Sequence, residues 1–109
     1  MENKETPPQF LIYQAEDGKT RLDVRLENET VWLAQTQLAE LFQTSKQNIS
    51  LHIQNIFKEQ ELDENSVVKE YLTTAADGKE YTVKHYNLDA IISVGYRVKS
   101  RRATQFRIW

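Results

Sequence analysis

Cysteine does not occur in the 109 residues of this chain, which excludes a disulfide framework, thiolate catalysis and cysteine-based zinc sites. The three glycines, at 18, 78 and 95, are too far apart for a dinucleotide fingerprint or a phosphate-binding loop. Neither of the two histidines has a spaced carboxylate partner, so the sequence predicts no metal site and no cofactor. Since nothing pairs a nucleophile with a base, we expect no enzyme activity within these residues.

Long apolar runs and a secretory signal are also missing, and we therefore expect a soluble, cytoplasmic protein with no membrane partner. A chain of this length with 39% hydrophobic residues favours one domain around a single core. Residues 1–8 hold both prolines and several charges, which is typical of a disordered leader. Residues 9–109 are then the domain.

The negative charge is unevenly distributed. The net charge of −2 and the pI of about 5.7 argue against indiscriminate binding of polyanions. Residues 84–109, however, contain six Lys and Arg residues against one Asp, a net charge of +5, and the preceding residues carry −7. The C-terminal quarter is therefore the basic part of the molecule.

Alternating polarity predicts strands in the N-terminal third. Residues 10–13 are apolar, and residues 21–26 alternate between charged and aliphatic side chains. Asp17-Gly18 between them is a strong hairpin signal, because both residues tolerate positive φ. Residues 30–33 can return as a third antiparallel strand.

A pair of short helices follows. Leu38, Leu41 and Phe42 form one apolar stripe, which predicts a first helix from near Thr36. Ser45 can cap a second helix by accepting a backbone N–H. The second helix has an apolar face made of Ile49, Ile53, Ile56 and Phe57.

The opposite face of the second helix resembles a DNA-reading surface. No carboxylate occurs between Leu41 and Lys58, so repulsion of phosphates is small. Amide, hydroxyl and amino side chains can pair with base edges in the major groove. An ordinary helical hairpin with a solvated face is the alternative, and Gln43 departs from the Gly that is usual at the turn of a helix-turn-helix. The residues of this face predicted to bind DNA are Ser45, Lys46, Gln47, Asn48, Ser50, Leu51 and Gln54.

A second hairpin is predicted beyond an acidic connection. Residues 59–66 contain several carboxylates and are expected to face away from DNA. Residues 67–73 and 81–86 can pair around Asp77-Gly78, in the position of the wing of a winged helix. Lys79 and Lys84 on this hairpin are predicted to contact phosphate, although exposed hairpin lysines can equally be solubilising.

The C-terminal segment predicts two more helices. Asn87 can cap the first, which carries an apolar stripe from Leu88 to Tyr96. Ser100 can cap a last helix in which Phe106 and Trp109 share a face. Because that helix stops on an apolar residue, we expect a fragment of a longer protein in which these two aromatic rings pack poorly or are buried in a neighbouring molecule. The basic residues Arg97, Lys99, Arg101 and Arg102 are predicted to hold phosphates, the alternative being a solvated helix end.

Several segments of the sequence resemble those of a known protein family. The run VWLAQTQLAELFQTSKQNISLHIQNIF, and more specifically YNLDAIISVGYRV and RATQF, resemble the N-terminal domain of the RhuM family of bacterial virulence-associated proteins, a module also found ahead of Fic/Doc domains. The resemblance covers nearly everything after about residue 20. It implies a bacterial DNA-binding module followed by a longer C-terminal region. The Fic signature is absent here, so the resemblance implies no AMP transfer.

The sequence thus predicts an α+β, winged-helix-like domain: N-terminal antiparallel strands, a helix-turn-helix, a β-hairpin wing and two C-terminal helices. The expected function is binding of double-stranded DNA as a transcriptional regulator or targeting module, with a homodimer as one arrangement. The alternative is a protein-interaction or oligomerisation module that regulates a C-terminal effector absent from this chain. Leu51 suits either function, because it could meet a thymine methyl or lie at the centre of a protein contact.

Overall fold

The computed structural model describes residues 9–15, 18–99 and Phe106. The predicted leader, Arg101, Arg102, Trp109 and most of the predicted last helix lie outside the described residues. The described residues form five strands and four helices. In chain order these are β1 (Gln9–Gln14), β2 (Arg21–Glu27), β3 (Thr30–Ala34), α1 (Gln35–Phe42), α2 (Lys46–Lys58), α3 (Glu64–Val67), β4 (Val68–Thr74), β5 (Glu80–Asn87) and α4 (Leu88–Val98).

One antiparallel sheet contains all five strands, in the order β1-β2-β3-β5-β4. The strand before the helix pair, β3, is joined to the returning strand of the second hairpin through Leu33 opposite Tyr86. The predicted α+β class and antiparallel strands are therefore confirmed. The short helix α3 was not predicted, because four residues are too few to show a periodicity.

The turns that connect the paired strands lie at residues whose type or backbone conformation suits a tight turn. In the first, Gly18 has φ of 71° and the Ala15 N–H donates to the Thr20 carbonyl at 3.0 Å. Between β2 and β3, Asn28 and Glu29 both have positive φ, the backbone that matches the right-handed twist of paired strands. In the last hairpin Gly78 has φ of 83°. Local turn chemistry therefore sets the sheet connections.

The core lies between one face of the sheet and the helices α1, α2 and α4. The aliphatic residues at inward positions of β2 and β3 meet the apolar stripes of the helices, and burying them supplies most of the favourable folding free energy. The largest fully buried side chains are Leu33, Leu38, Leu41, Ile49, Ile56, Ile91, Val24 and Val94.

A second cluster of side chains covers the other face of the sheet. The Arg25 guanidinium lies 3.9 Å from the centroid of the Tyr71 ring, and the Trp32 indole N–H donates to the Glu27 carbonyl at 3.0 Å. Burial, aided by the Glu27 carboxylate, raises the pKa of Tyr71 to about 12. Burial also lowers the pKa of His85, whose ring meets Tyr71 edge-on at 4.9 Å. This face is therefore packed by aromatic and cationic side chains, without a helix upon it among the described residues.

The C-terminal helix α4 begins as predicted, because the Asn87 side chain accepts the Ala90 N–H at 3.2 Å. It ends at Val98, and the next residue, Lys99, has a left-handed backbone with φ of 56°. The expectation that Phe106 packs poorly is wrong: this residue is 2% exposed, and its ring meets Tyr13 edge-on at 5.0 Å. None of the helices that the structure describes is long and apolar enough to cross a membrane.

Candidate nucleic-acid interface

The turn between α1 and α2 fixes the relative direction of the two helices. Gln43 ends α1 in the left-handed region, with φ of 56° and ψ of 50°. The Thr44 N–H then donates back to the Ala39 carbonyl at 3.0 Å, which satisfies one of the last carbonyls of α1. Gln43 therefore has the left-handed backbone that Gly favours, although the residue is Gln.

Gln43 provides a stability test of this turn. Gln43→Gly is expected to raise the free energy of unfolding by about 1 kcal/mol, because it removes the contact between Cβ and the backbone in the left-handed conformation. Gln43→Ala is the matched control: it loses the same side chain but keeps Cβ, so no gain is expected. Urea denaturation followed by circular dichroism measures both. A destabilised Gly variant would contradict the assigned turn geometry.

Side chains order the first turn of α2. The Ser45 hydroxyl accepts the Asn48 N–H at 3.0 Å, as the N-cap prediction requires. The Asn48 amide also donates to the Thr44 hydroxyl at 2.9 Å. Ser45 and Asn48 thus have structural roles at the start of this helix.

The two faces of α2 are confirmed. Ile49, Ile53 and Ile56 are buried, and the other side of the helix points outward. Leu51, at 53% exposure, lies on that outward side. Lys46, Gln47 and Gln54 are also exposed there, and Asn48 and Ser50 are half-buried.

Gln47 differs from its neighbours in having an uncommitted amide. Gln54 donates to the Ser50 hydroxyl at 3.4 Å, and Asn48 is bonded to Thr44. No side-chain hydrogen bond of Gln47 occurs within the described part of the chain. An exposed amide without an internal partner can bind an external group without first breaking a bond.

Strand β5 forms the other wall of a groove beside α2. Ser50 and Gln54 of the helix line this groove together with Lys84 of the strand. Lys46 lines a neighbouring depression together with Thr82 and Lys84 of the same strand. The fold therefore unites four of the predicted DNA-binding residues, although they are separated by up to 38 positions in the sequence.

An acidic side chain also enters the groove. Glu64 lies in its wall, and one of its carboxylate oxygens is 4.0 Å from the Lys84 amino group. The acidic connection was expected to face away from DNA, and the structure places one of its carboxylates, that of Glu64, in the wall of this groove. Helix α3 contacts α4 and β4, and Glu64 at its first position reaches the groove beside α2. Because both side chains are about half exposed, the ion pair is weak and Lys84 can exchange partners.

The remaining predicted basic residues lie elsewhere. Lys79 is exposed at the tip of the last hairpin, where its backbone N–H donates to the Asp77 carboxylate at 2.9 Å. Lys99 is exposed at the end of α4. Arg101 and Arg102 lie outside the described residues, so their predicted contacts stay predictions.

Arg97 is engaged by two carboxylates. Its guanidinium lies 2.7 Å from both Glu59 and Glu61, and these acids raise the pKa of Arg97. The Ser93 hydroxyl donates to Glu61, and this bond and Arg97 lower the pKa of that carboxyl. The arrangement ties α4 to the end of α2. A role of Arg97 in holding phosphate remains a prediction, and it would require the two acids to be displaced.

Sequence reasoning missed the contribution of Glu64 and the groove itself. Both depend on the pairing of β3 with β5, which brings Lys84 alongside α2. The Asp77-Gly78 signal predicted the hairpin of residues 67–73 and 81–86, but it contained no information on the second partner of residues 81–86. The groove is therefore a product of sheet order rather than of any local motif.

Comparison with known families concerns the C-terminal part of this fold. Residues 66–109 match the model of the family described as the virulence protein RhuM family. The matched segment contains β4, β5 and α4, together with the YNLDAIISVGYRV and RATQF phrases, whereas the helix pair precedes it. No curated protein and no solved structure gives a match. The resemblance stated from the sequence is thus confirmed over residues 66–109, which are similar to the RhuM family of virulence proteins.

Proposed function

We propose that this domain binds double-stranded DNA by placing the outward face of α2 in the major groove. The observation that carries the proposal is that this face is polar, exposed and free of carboxylates, while the opposite face is anchored in the core. A helix held in this way can enter a groove about 12 Å wide without unfolding or leaving its neighbours.

The geometry of the first turn supports this assignment. Base contacts of helix-turn-helix proteins come mainly from the N-terminal residues of the second helix. Here those residues are Lys46 and Gln47, which are exposed. Gln can pair bidentately with adenine, and Lys can donate to the acceptors of guanine. These two residues are therefore assigned to base recognition.

We interpret the β4–β5 hairpin as the wing of a winged-helix arrangement. It follows the helix pair in sequence, and β5 pairs with the strand that precedes that pair. Lys84 then borders α2 and can contact the phosphates beside the groove that the helix occupies. Lys79, at the tip beside Asp77, has a smaller role.

Substitutions of Lys84 and of Glu64 in the groove are expected to change DNA affinity in opposite directions. Lys84→Gln is expected to weaken binding to all duplexes and to make the slope of log K against log salt shallower by about 0.9, since one phosphate contact is lost. Glu64→Gln is expected to strengthen binding at low salt, because it removes a negative charge beside Lys84. Fluorescence anisotropy over a salt series measures both. Lys19→Gln, in the exposed turn before β2, is the control for loss of one positive charge elsewhere; equal effects at Lys19 and Lys84 would count against the groove.

In this proposal the domain is a transcriptional regulator or a targeting module of a bacterial virulence-associated protein. The family match supplies the virulence setting, and the surface of α2 supplies the affinity for DNA. Phosphate contacts alone would give binding without selectivity. The amides of α2 add the preference for particular bases.

One observation favours a second function. Leu51 is 53% exposed in the middle of the outward face of α2, and an exposed aliphatic side chain can be the centre of a protein interface. In that case α2 would bind a partner domain or an effector rather than DNA. Selection from a random duplex library distinguishes the two functions, because a protein-binding face would enrich no sequence.

A further inference from the structure

The first strand lies at an edge of the sheet and exposes apolar side chains. In the described part of the chain, β1 has β2 as its one neighbour. Phe10, Leu11 and Ile12 are 54%, 41% and 50% exposed. An edge strand also presents backbone N–H and C=O groups that can pair with another strand. Within the described residues, β1 thus combines exposed apolar side chains with a backbone edge that faces no second strand.

The other edge strand is protected in a way that β1 is not. Strand β4 carries Lys69 and Glu70, and charges on an edge oppose pairing with another chain. Strand β1 has the sequence QFLIYQ, which contains no charge and no proline. The two edges therefore differ in their capacity to accept a further strand.

We propose that β1 is a self-association surface on which a second copy of this chain pairs, β1 against β1, in an antiparallel ladder. A two-fold axis through Leu11 places Leu11 opposite its own copy and Phe10 opposite Ile12 of the second copy. Pairs of an aromatic with a β-branched residue are among the favourable cross-strand neighbours. Because the axis repeats each contact, the Phe10–Ile12 pair forms twice.

The composition of β1 favours pairing with a second copy of β1 over pairing with a charged peptide. An acidic or basic peptide would find no opposite charge within QFLIYQ, whereas the self-pair sets no like charges against each other. The chosen register also keeps each side chain on its own face of the sheet, since the paired residue numbers sum to an even value. The helices of both copies then lie on the same side of one continuous sheet. This inference goes beyond the proposed function, because the pairing requires no DNA.

Charge variants at Leu11 give a specific test in the absence of DNA. The full chain is expected to form dimers in a concentration series by analytical ultracentrifugation. Leu11→Lys or Leu11→Glu alone should weaken self-association about tenfold or more, since two like charges then face each other across the axis. An equimolar mixture of the two variants should restore the dimer. Leu72→Lys on β4, where the leucine is 68% exposed, is the control and should leave self-association unchanged.

Several outcomes would overturn the proposal. The proposal is wrong if the parent chain stays monomeric throughout the series. It is also wrong if the Leu11→Lys variant dimerises like the parent, or if Leu72→Lys abolishes the dimer and the Leu11 variants do not. A cross-linking experiment decides the matter if a charged variant fails to fold. Because the chain has no cysteine, Leu11→Cys introduces a single thiol, and antiparallel partners have Cα atoms about 4.5 to 5.5 Å apart, within reach of a disulfide. Oxidation should link Leu11→Cys into dimers and leave Leu72→Cys largely monomeric; the reverse result would exclude β1 as the interface.

Discussion

Ile49→Ala is expected to lower the free energy of unfolding by about 2 to 5 kcal/mol, the range for truncation of a large aliphatic side chain in a core. Ile49 is fully buried on the inward face of α2, where a cavity would form between the helix and the rest of the core. Urea denaturation monitored by circular dichroism measures the loss. The effect would show that α2 is held in place by its apolar face.

Leu51→Ala is the matched control, because it removes a similar side chain two positions away on the same helix. Leu51 is 53% exposed, and substitutions at such positions usually change stability by no more than about 0.5 kcal/mol. Equal losses at Ile49 and Leu51 would mean that the two faces of α2 are wrongly assigned. A stable Leu51→Ala variant is also the reagent needed to test whether this residue binds a partner.

Gln47→Ala is expected to cost about 1 to 3 kcal/mol in binding to a selected duplex and to relax the base preference at one position. Gln47 is exposed in the first turn of α2, and its amide has no internal hydrogen bond to break within the described residues. Non-specific binding should barely change, since phosphate contacts supply it. Selection from a random duplex library, followed by titration of the enriched site, measures both quantities.

The same substitution at Gln9 is the control for this experiment. Gln9 is exposed on β1, at the opposite end of the strand order from the β4–β5 hairpin. Gln9→Ala should retain the affinity and the base preference of the parent chain. Asn48→Ala is less informative, because the Asn48 amide also bonds Thr44 in the turn. If the library yields no enriched sequence, base recognition by α2 is contradicted.

The starts of the helices were predictable from the sequence, because the residues that determine them lie within a few positions of each other. Ser45 and Asn87 cap their helices as expected, since each side chain bonds a backbone N–H three residues ahead. The turn at Gln43 shows the limit of such reasoning. Gly is the usual residue for a left-handed backbone, yet Gln43 has φ of 56° at the end of α1.

Features that depend on distant pairing could not be read from the sequence. The alternation in β2 predicted one inward and one outward face, but it gave no sign that Arg25 would lie against Tyr71, far along the chain. Similarly, Glu64 was placed away from the proposed DNA surface because α3 and the β3–β5 pairing were not foreseen. Charge counting made Arg97 part of the basic segment, whereas Glu59 and Glu61 neutralise it in the fold. Net charge along a sequence is thus a poor guide to the charge that a surface presents.

Chemical-shift mapping with duplex DNA tests the central claim most directly. Amide resonances of the uniformly ¹⁵N-labelled chain would be followed as a random-sequence duplex is added at low salt. The proposed function predicts the largest shifts at Ser45 and residues 46–54 of α2 and around Lys84 of β5, with little change in β1 and β2. A spectrum that does not respond to DNA, or one whose shifts are confined to β1 and β2, would contradict DNA binding through α2.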